Sequence, residues 1–96
     1  MDDIPELSKG QLARMISRTL RQRLIDGRIE SGGDIAALRR FVALTQAQFA
    51  EALGISVHTL RNWEQGRRRP DGPAVALLRI AARHPKILGE NLASAA

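Results

Sequence analysis

Between Thr45 and Pro70 the chain reads TQAQFAEALGISVHTLRNWEQGRRRP, and its punctuation leaves little freedom. Thr45 and Gln48 have capping-box spacing, and Leu44 with Phe49 has the spacing of a hydrophobic staple, so a helix starts here. Gly54 enters a left-handed conformation without steric penalty and turns the chain. Ser56 then caps a second helix, stapled by Ile55 and Leu60, which Gly66 closes and Pro70 keeps from resuming. Two short helices, a tight turn and a following arginine run form the layout of a helix-turn-helix that reads DNA.

The flanks are helical too. Ser8 with Gln11 and Leu7 with Leu12 signal a start, and Leu12, Ile16, Leu20 and Leu24 recur every four residues as a narrow apolar stripe until Gly27. Arg28 to Gly33, with its Ser-Gly-Gly, reads as a flexible joint. A helix follows from about Asp34, its expected N-cap, with Ile35, Leu38 and Phe41/Val42 facing inward. In the helix-turn-helix itself Ala50, Leu53, Leu60 and Trp63 face the core. Asp71 or Gly72 caps a later helix with Pro73 in its first turn and Val75, Leu78, Ala81 and Ala82 on its buried side. Pro85 opens a last short helix with Ile87, Leu88 and Leu92. No alternating run suggests a strand, so the expected class is all-α. Residues 1–33 are expected to form an N-terminal amphipathic helix and linker, and residues 34–96 a five-helix DNA-binding domain.

Composition narrows the function. The 96 residues allow one small domain with an appendage; 44% are apolar but only 3% aromatic, so the core is aliphatic. There is no cysteine, which excludes disulfides and thiolate metal sites within these residues. The N-terminus, MDDIPELSKG, is acidic and polar, unlike a signal peptide, and no apolar run is long enough to span a bilayer. A cytoplasmic, nucleoid-associated protein is the expectation. The net charge of +5 points to a polyanionic partner. That charge is unevenly placed: residues 1–33 carry six Lys/Arg against five Asp/Glu, and the excess peaks at Arg61, Arg67, Arg68 and Arg69. Such a run after a reading helix suits phosphate contact, although an arginine run elsewhere is as often only a solvated surface.

A recognition helix presents its N-terminal side chains to base edges in the major groove. Here those positions are Ser56, Val57, His58, Thr59, Arg61 and Asn62, with Leu60 and Trp63 committed to the core. His58 and Asn62, four apart, share one face. Asn pairs bidentately with adenine, Arg takes guanine or phosphate, and Val57 can pack on a thymine methyl. Gln46, at the start of the preceding helix, is placed to reach a phosphate. His58 and His84 do not make a metal site without further ligands, and no cofactor is expected. No carboxylate pair, activated nucleophile or phosphate-binding glycine loop occurs at a useful spacing, so the chain does not read as an enzyme.

Gln46, Ala50, Gly54, Leu60 and the Trp63-Glu64 pair, with Gly66 and Pro70 beyond, resemble the helix-turn-helix domain of lambdoid phage repressors, Cro proteins and XRE regulators. The resemblance spans Asp34 to Leu92. It implies a structural ion pair, which by position would join Arg39 to Glu64. The segment WEQGRRRPDGPAVALLRIAARHPKIL is similar, more narrowly, to the end of this unit in HigA-type and MqsA-type antitoxins. That similarity implies an antitoxin that represses its own operon as a homodimer on a near-palindromic operator and binds a RelE/HigB-like toxin. An N-terminal cysteine zinc module is missing from these 96 residues, so the MqsA subtype is not the expected one.

The apolar stripe Leu12, Ile16, Leu20 and Leu24 is thin for an isolated helix and needs a surface to pack on. Its own domain, a second protomer and the toxin are the three choices, and the antitoxin resemblance favours the toxin. Two other readings stay open: a stand-alone XRE repressor without a toxin, and a module used mainly for protein contact.

Overall fold

The computed structural model describes residues 15–95, with side chains to residue 93. The described residues form six helices and no strand: α1 (Arg18–Ile25), α2 (Gly32–Phe41), α3 (Gln46–Leu53), α4 (Val57–Glu64), α5 (Gly72–Arg83) and α6 (Ile87–Ala95).

Local chemistry explains the helix starts. Ser17, Thr45, Ser56 and Asp71 hold extended backbone and accept, through a side-chain oxygen, the N–H three residues on. Thr45 and Gln48 make both halves of the capping box, at 3.1 and 3.0 Å. Four helices end alike, on a left-handed residue: Gly27, Ala43, Gly54 and Gly66. At each, the N–H of the left-handed residue and that of its successor fold back on carbonyls of the last turn. Ala43 is the exception in kind. Its φ of 62° brings its methyl group against the following carbonyl, a cost of about 1–2 kcal/mol that glycine avoids.

The core is aliphatic around two aromatics. Leu24, Ile35, Leu38, Phe49, Leu53, Leu60, Trp63, Leu78 and Leu88 are buried in one cluster with the small Ala50, Ala81 and Ala82. Helix α3 packs on α4 and α6, α2 on α4, and α1 on α5.

Four expectations for the segment up to Asp34 are corrected. The helix carrying Leu20 and Leu24 does not run back through Ile16, because Ser17 is an extended N-cap; the Ser8–Gln11 and Leu7–Leu12 signals lie outside the described residues. The boundary expected between residues 33 and 34 falls inside α2, and Leu24, only 1% exposed, belongs to the same core as Leu38 and Leu60. Helices α1 and α5 are further joined by reciprocal arginines. Arg21 Nε donates to Ala82 O at 2.9 Å, and Arg79 Nε donates to Ile25 O at 2.9 Å, so each helix supplies a cation to the other's C-terminal carbonyls. The guanidinium of Arg21 also lies 5.3 Å from the Phe41 ring centroid.

The third correction concerns Ser-Gly-Gly. It is not a loose joint: Ser31 is the N-cap of α2, and Gly32 is pressed against the backbone at the end of α4. A Cβ on Gly32 would collide with the carbonyl oxygens of Trp63 and Glu64. Asp34, the expected N-cap, instead sits in the first turn and is buried. Its carboxylate accepts from Glu30 N at 2.9 Å and from both terminal nitrogens of Arg23, at 2.9 and 3.2 Å. Burial alone would raise the Asp34 pKa; the Arg23 and backbone hydrogen bonds outweigh it and hold the carboxyl below its usual range.

Candidate nucleic-acid interface

Helix α4 is one turn of chain away from α3, through Gly54 (φ 75°) and the Ser56 cap. Leu60 and Trp63 fix its rotation by entering the core at three-residue spacing, which leaves His58 and Arg61 exposed and Asn62 half-buried on the outer side. Asn62 Nδ2 and His58 Nε2 are 3.3 Å apart, so these two side chains meet across one helical turn.

The arginine run is tied to the same helix. Arg67 N and Arg68 N both reach back to Asn62 O, at 2.9 and 3.3 Å, which folds the segment after Gly66 onto the last turn of α4. Arg67, Arg68 and Arg69 are exposed. Among the described residues neither they nor Arg61 enter an ion pair. His58, Thr59, Asn62, Arg68 and Arg69 surround one surface cavity, with Trp63 as its floor. This arrangement can present hydrogen-bonding side chains and several uncompensated cations to a single polyanionic surface.

The other candidates have different employment. The Ser56 hydroxyl accepts Thr59 N at 3.0 Å and lies 3.0 Å from the Thr59 hydroxyl, so it caps the helix and pairs with that hydroxyl. Val57 is half-buried and packs on the core rather than standing free for a methyl group. Gln46 is drawn inward: its Nε2 donates to Glu64 Oε1 at 3.1 Å, and its Oε1 accepts from Arg61 Nε at 3.4 Å. A side chain held in this way is not free for phosphate, as its position in the sequence suggested.

The ion pair between Arg39 and Glu64 is present and two-pronged, at 2.8 Å from Nε and 3.2 Å from a terminal nitrogen. Arg39 also donates to Leu44 O at 3.3 Å. One chain of polar contacts thus runs from Leu44 through Arg39, Glu64 and Gln46 to Arg61, linking the end of α2, the start of α3 and the last turn of α4. Sequence reasoning missed the last two links, because Gln46 and Arg61 lie 15 residues apart and meet only once α3 and α4 cross. It also missed the Arg23–Asp34 pair, for which the spacing gives no signal.

Of the four stripe residues proposed to meet a partner, Leu24 is fully taken up by this chain's own core. Ile16 and Leu20 are half-buried against the same cluster, and Leu12 lies outside the described residues. Among the described residues no group of His, Cys, Asp or Glu could hold a metal ion, and no helix is long and apolar enough to cross a membrane.

A family model described as the antitoxin component of the bacterial toxin–antitoxin system, MqsA, matches residues 6–91. Antitoxin HigA-2 of Vibrio cholerae serotype O1 is 43% identical over 58 residues, which is 60% of this chain and 56% of that protein. Antitoxin MqsA of Escherichia coli K12 is 32% identical over 56 residues, 58% of this chain and 43% of that one. The match thus spans about half the length of these curated relatives. No solved structure matches. The family model matches a sequence without cysteine, and of these two relatives HigA-2 is the more similar, as the HigA-type resemblance implies.

Proposed function

This chain belongs to the MqsA family of antitoxin components of bacterial toxin–antitoxin systems, and from that premise we propose that it is a sequence-specific DNA-binding antitoxin. It neutralises a RelE/HigB-like toxin and represses its own operon as a homodimer on a palindromic operator, in the cytoplasm at the nucleoid. The observation that supports the DNA half is the outer face of α4, where His58, Arg61 and Asn62 stand beside three arginines that enter no ion pair among the described residues. In this reading α2–α6 form a five-helix, lambda-repressor-like unit, with α3 lying across the backbone and α4 in the major groove. Two protomers place their α4 helices about 34–36 Å apart, one turn of duplex.

The reading of the toxin half rests on the family and on the segment ahead of Ser17. Because α1 is part of the core, the toxin-contacting arm is confined to residues before that cap, with Ile16 at its base. Co-expression with the neighbouring gene tests this directly. We expect a stable complex on pull-down and rescue of growth. Deleting residues 1–16 should spare operator binding and abolish toxin co-purification.

A stand-alone XRE-type repressor is the second reading, and one observation favours it: the burial of Leu24 and half-burial of Leu20 remove most of the described stripe from partner contact. Absence of both complex and rescue, with operator binding intact, would establish that reading instead.

A further inference from the structure

Next to the His58–Asn62 cavity lies a second cavity, of about 380 Å³. Its floor is apolar, formed by Ile29, Ile35, Trp63 and Val75, and its mouth is edged by Arg68 and Arg69. The same two arginines and the same tryptophan therefore wall both cavities. Glu30 also lines the mouth, but one carboxylate against two guanidiniums leaves the net charge there positive. A volume of this size lies at the small end of the range for small-molecule sites, roughly 300–1,000 Å³.

We propose that this cavity binds a small amphiphilic carboxylate, with its apolar body against Trp63, Ile35 and Val75 and its carboxylate on Arg68 and Arg69, and that binding competes with DNA. The apolar floor supplies the burial and the unpaired guanidiniums supply charge-assisted hydrogen bonds. Competition follows because Arg68 and Arg69 cannot serve a carboxylate and a phosphate at once. The binding half stands on the cavity alone. The competition half rests on the DNA-reading role proposed for α4.

The chain's single tryptophan makes the cavity self-reporting. Full-length protein is titrated with 4-phenylbutyrate, and with 4-phenylbutanol as the uncharged control, while Trp63 fluorescence is followed. We expect saturable binding of the acid, at least tenfold weaker binding of the alcohol, and at least tenfold weaker binding of the acid to Arg68→Gln/Arg69→Gln and to Ser31→Glu. Ser31→Glu places a like charge beside the site at an exposed position, and a thermal melt matching the parent confirms that it folds. No saturation, or equal binding of acid and alcohol, overturns the site; so does binding of the acid unchanged in both variants. Saturating 4-phenylbutyrate should then weaken binding to a duplex from the chain's own upstream region, and unchanged affinity overturns the competition. A protein that binds no such duplex even without the acid overturns the DNA reading, and the fluorescence titration still decides the cavity.

Discussion

Gly54 and Gly32 perform opposite tasks. At Gly54 the backbone is left-handed and an added Cβ would touch nothing, so the residue is required by the local path of the chain alone. At Gly32 the requirement is space, because the last carbonyls of α4 occupy the volume of a side chain. The first glycine makes the turn between α3 and α4. The second sets how closely α2 clasps the end of α4, and Arg39, two turns further along α2, completes the clasp through Glu64. A turn is thus set by neighbours in sequence, and a clasp by residues that meet only in the folded chain.

The largest effect should come from breaking the clasp at its charged end. Arg39→Ala strands the mostly buried Glu64 carboxylate and should cost about 3–5 kcal/mol. In a domain of this size that lowers the melting temperature by roughly 12–40 °C. An unchanged melt would show that the pair contributes nothing. Gly32→Ala attacks the close approach instead. Backbone cannot rotate aside as a side chain can, so a loss of about 1–3 kcal/mol is expected, measurable by urea titration. Gly54→Ala should cost less, about 1 kcal/mol, since only the left-handed conformation penalises it. If Gly54→Ala proved costlier than Gly32→Ala, the division between turn and clasp would fail.

Ala43 reverses the first comparison. It holds a left-handed position with the wrong residue, so Ala43→Gly should stabilise the protein by about 0.5–1 kcal/mol. The smallest and most conditional effect is that of pH at the start of α2. Asp34 has its pKa lowered by folding, so its contribution is fully present above the ordinary carboxyl value of 3.8 and is lost as pH falls through the lower folded value. Asp34→Asn should therefore be less stable than the parent at pH 7, with the difference shrinking in denaturant melts below pH 4.

These comparisons also explain what was legible in the sequence. The caps at Thr45, Ser56 and Asp71 and the turn at Gly54 are local chemistry, and each is where the spacing placed it. The inward positions of Leu60, Trp63, Leu78 and Leu88 follow from helical periodicity. Ser-Gly-Gly has the composition of a flexible joint, but the constraint on Gly32 comes from α4, more than 30 residues away. The sequence leaves three surfaces open to Leu24 and favours a partner, whereas the helix that covers it, α5, lies about 50 residues on in the same chain. At the candidate interface the helix and its outward face were readable, whereas the recruitment of Gln46 by Glu64 and Arg61 was not, since it depends on the crossing of α3 and α4.

The outward face of α4 carries the functional account, and fluorescence anisotropy on two duplexes tests it most directly. One duplex is taken from the chain's own upstream region, and the other is its scrambled sequence. Asn62→Ala and His58→Ala remove contacts from exposed or half-exposed positions, so both variants should melt with the parent. The account predicts that they bind the native duplex about 10–100-fold more weakly and the scrambled one unchanged. Equal affinity of parent and variants for both duplexes would contradict it.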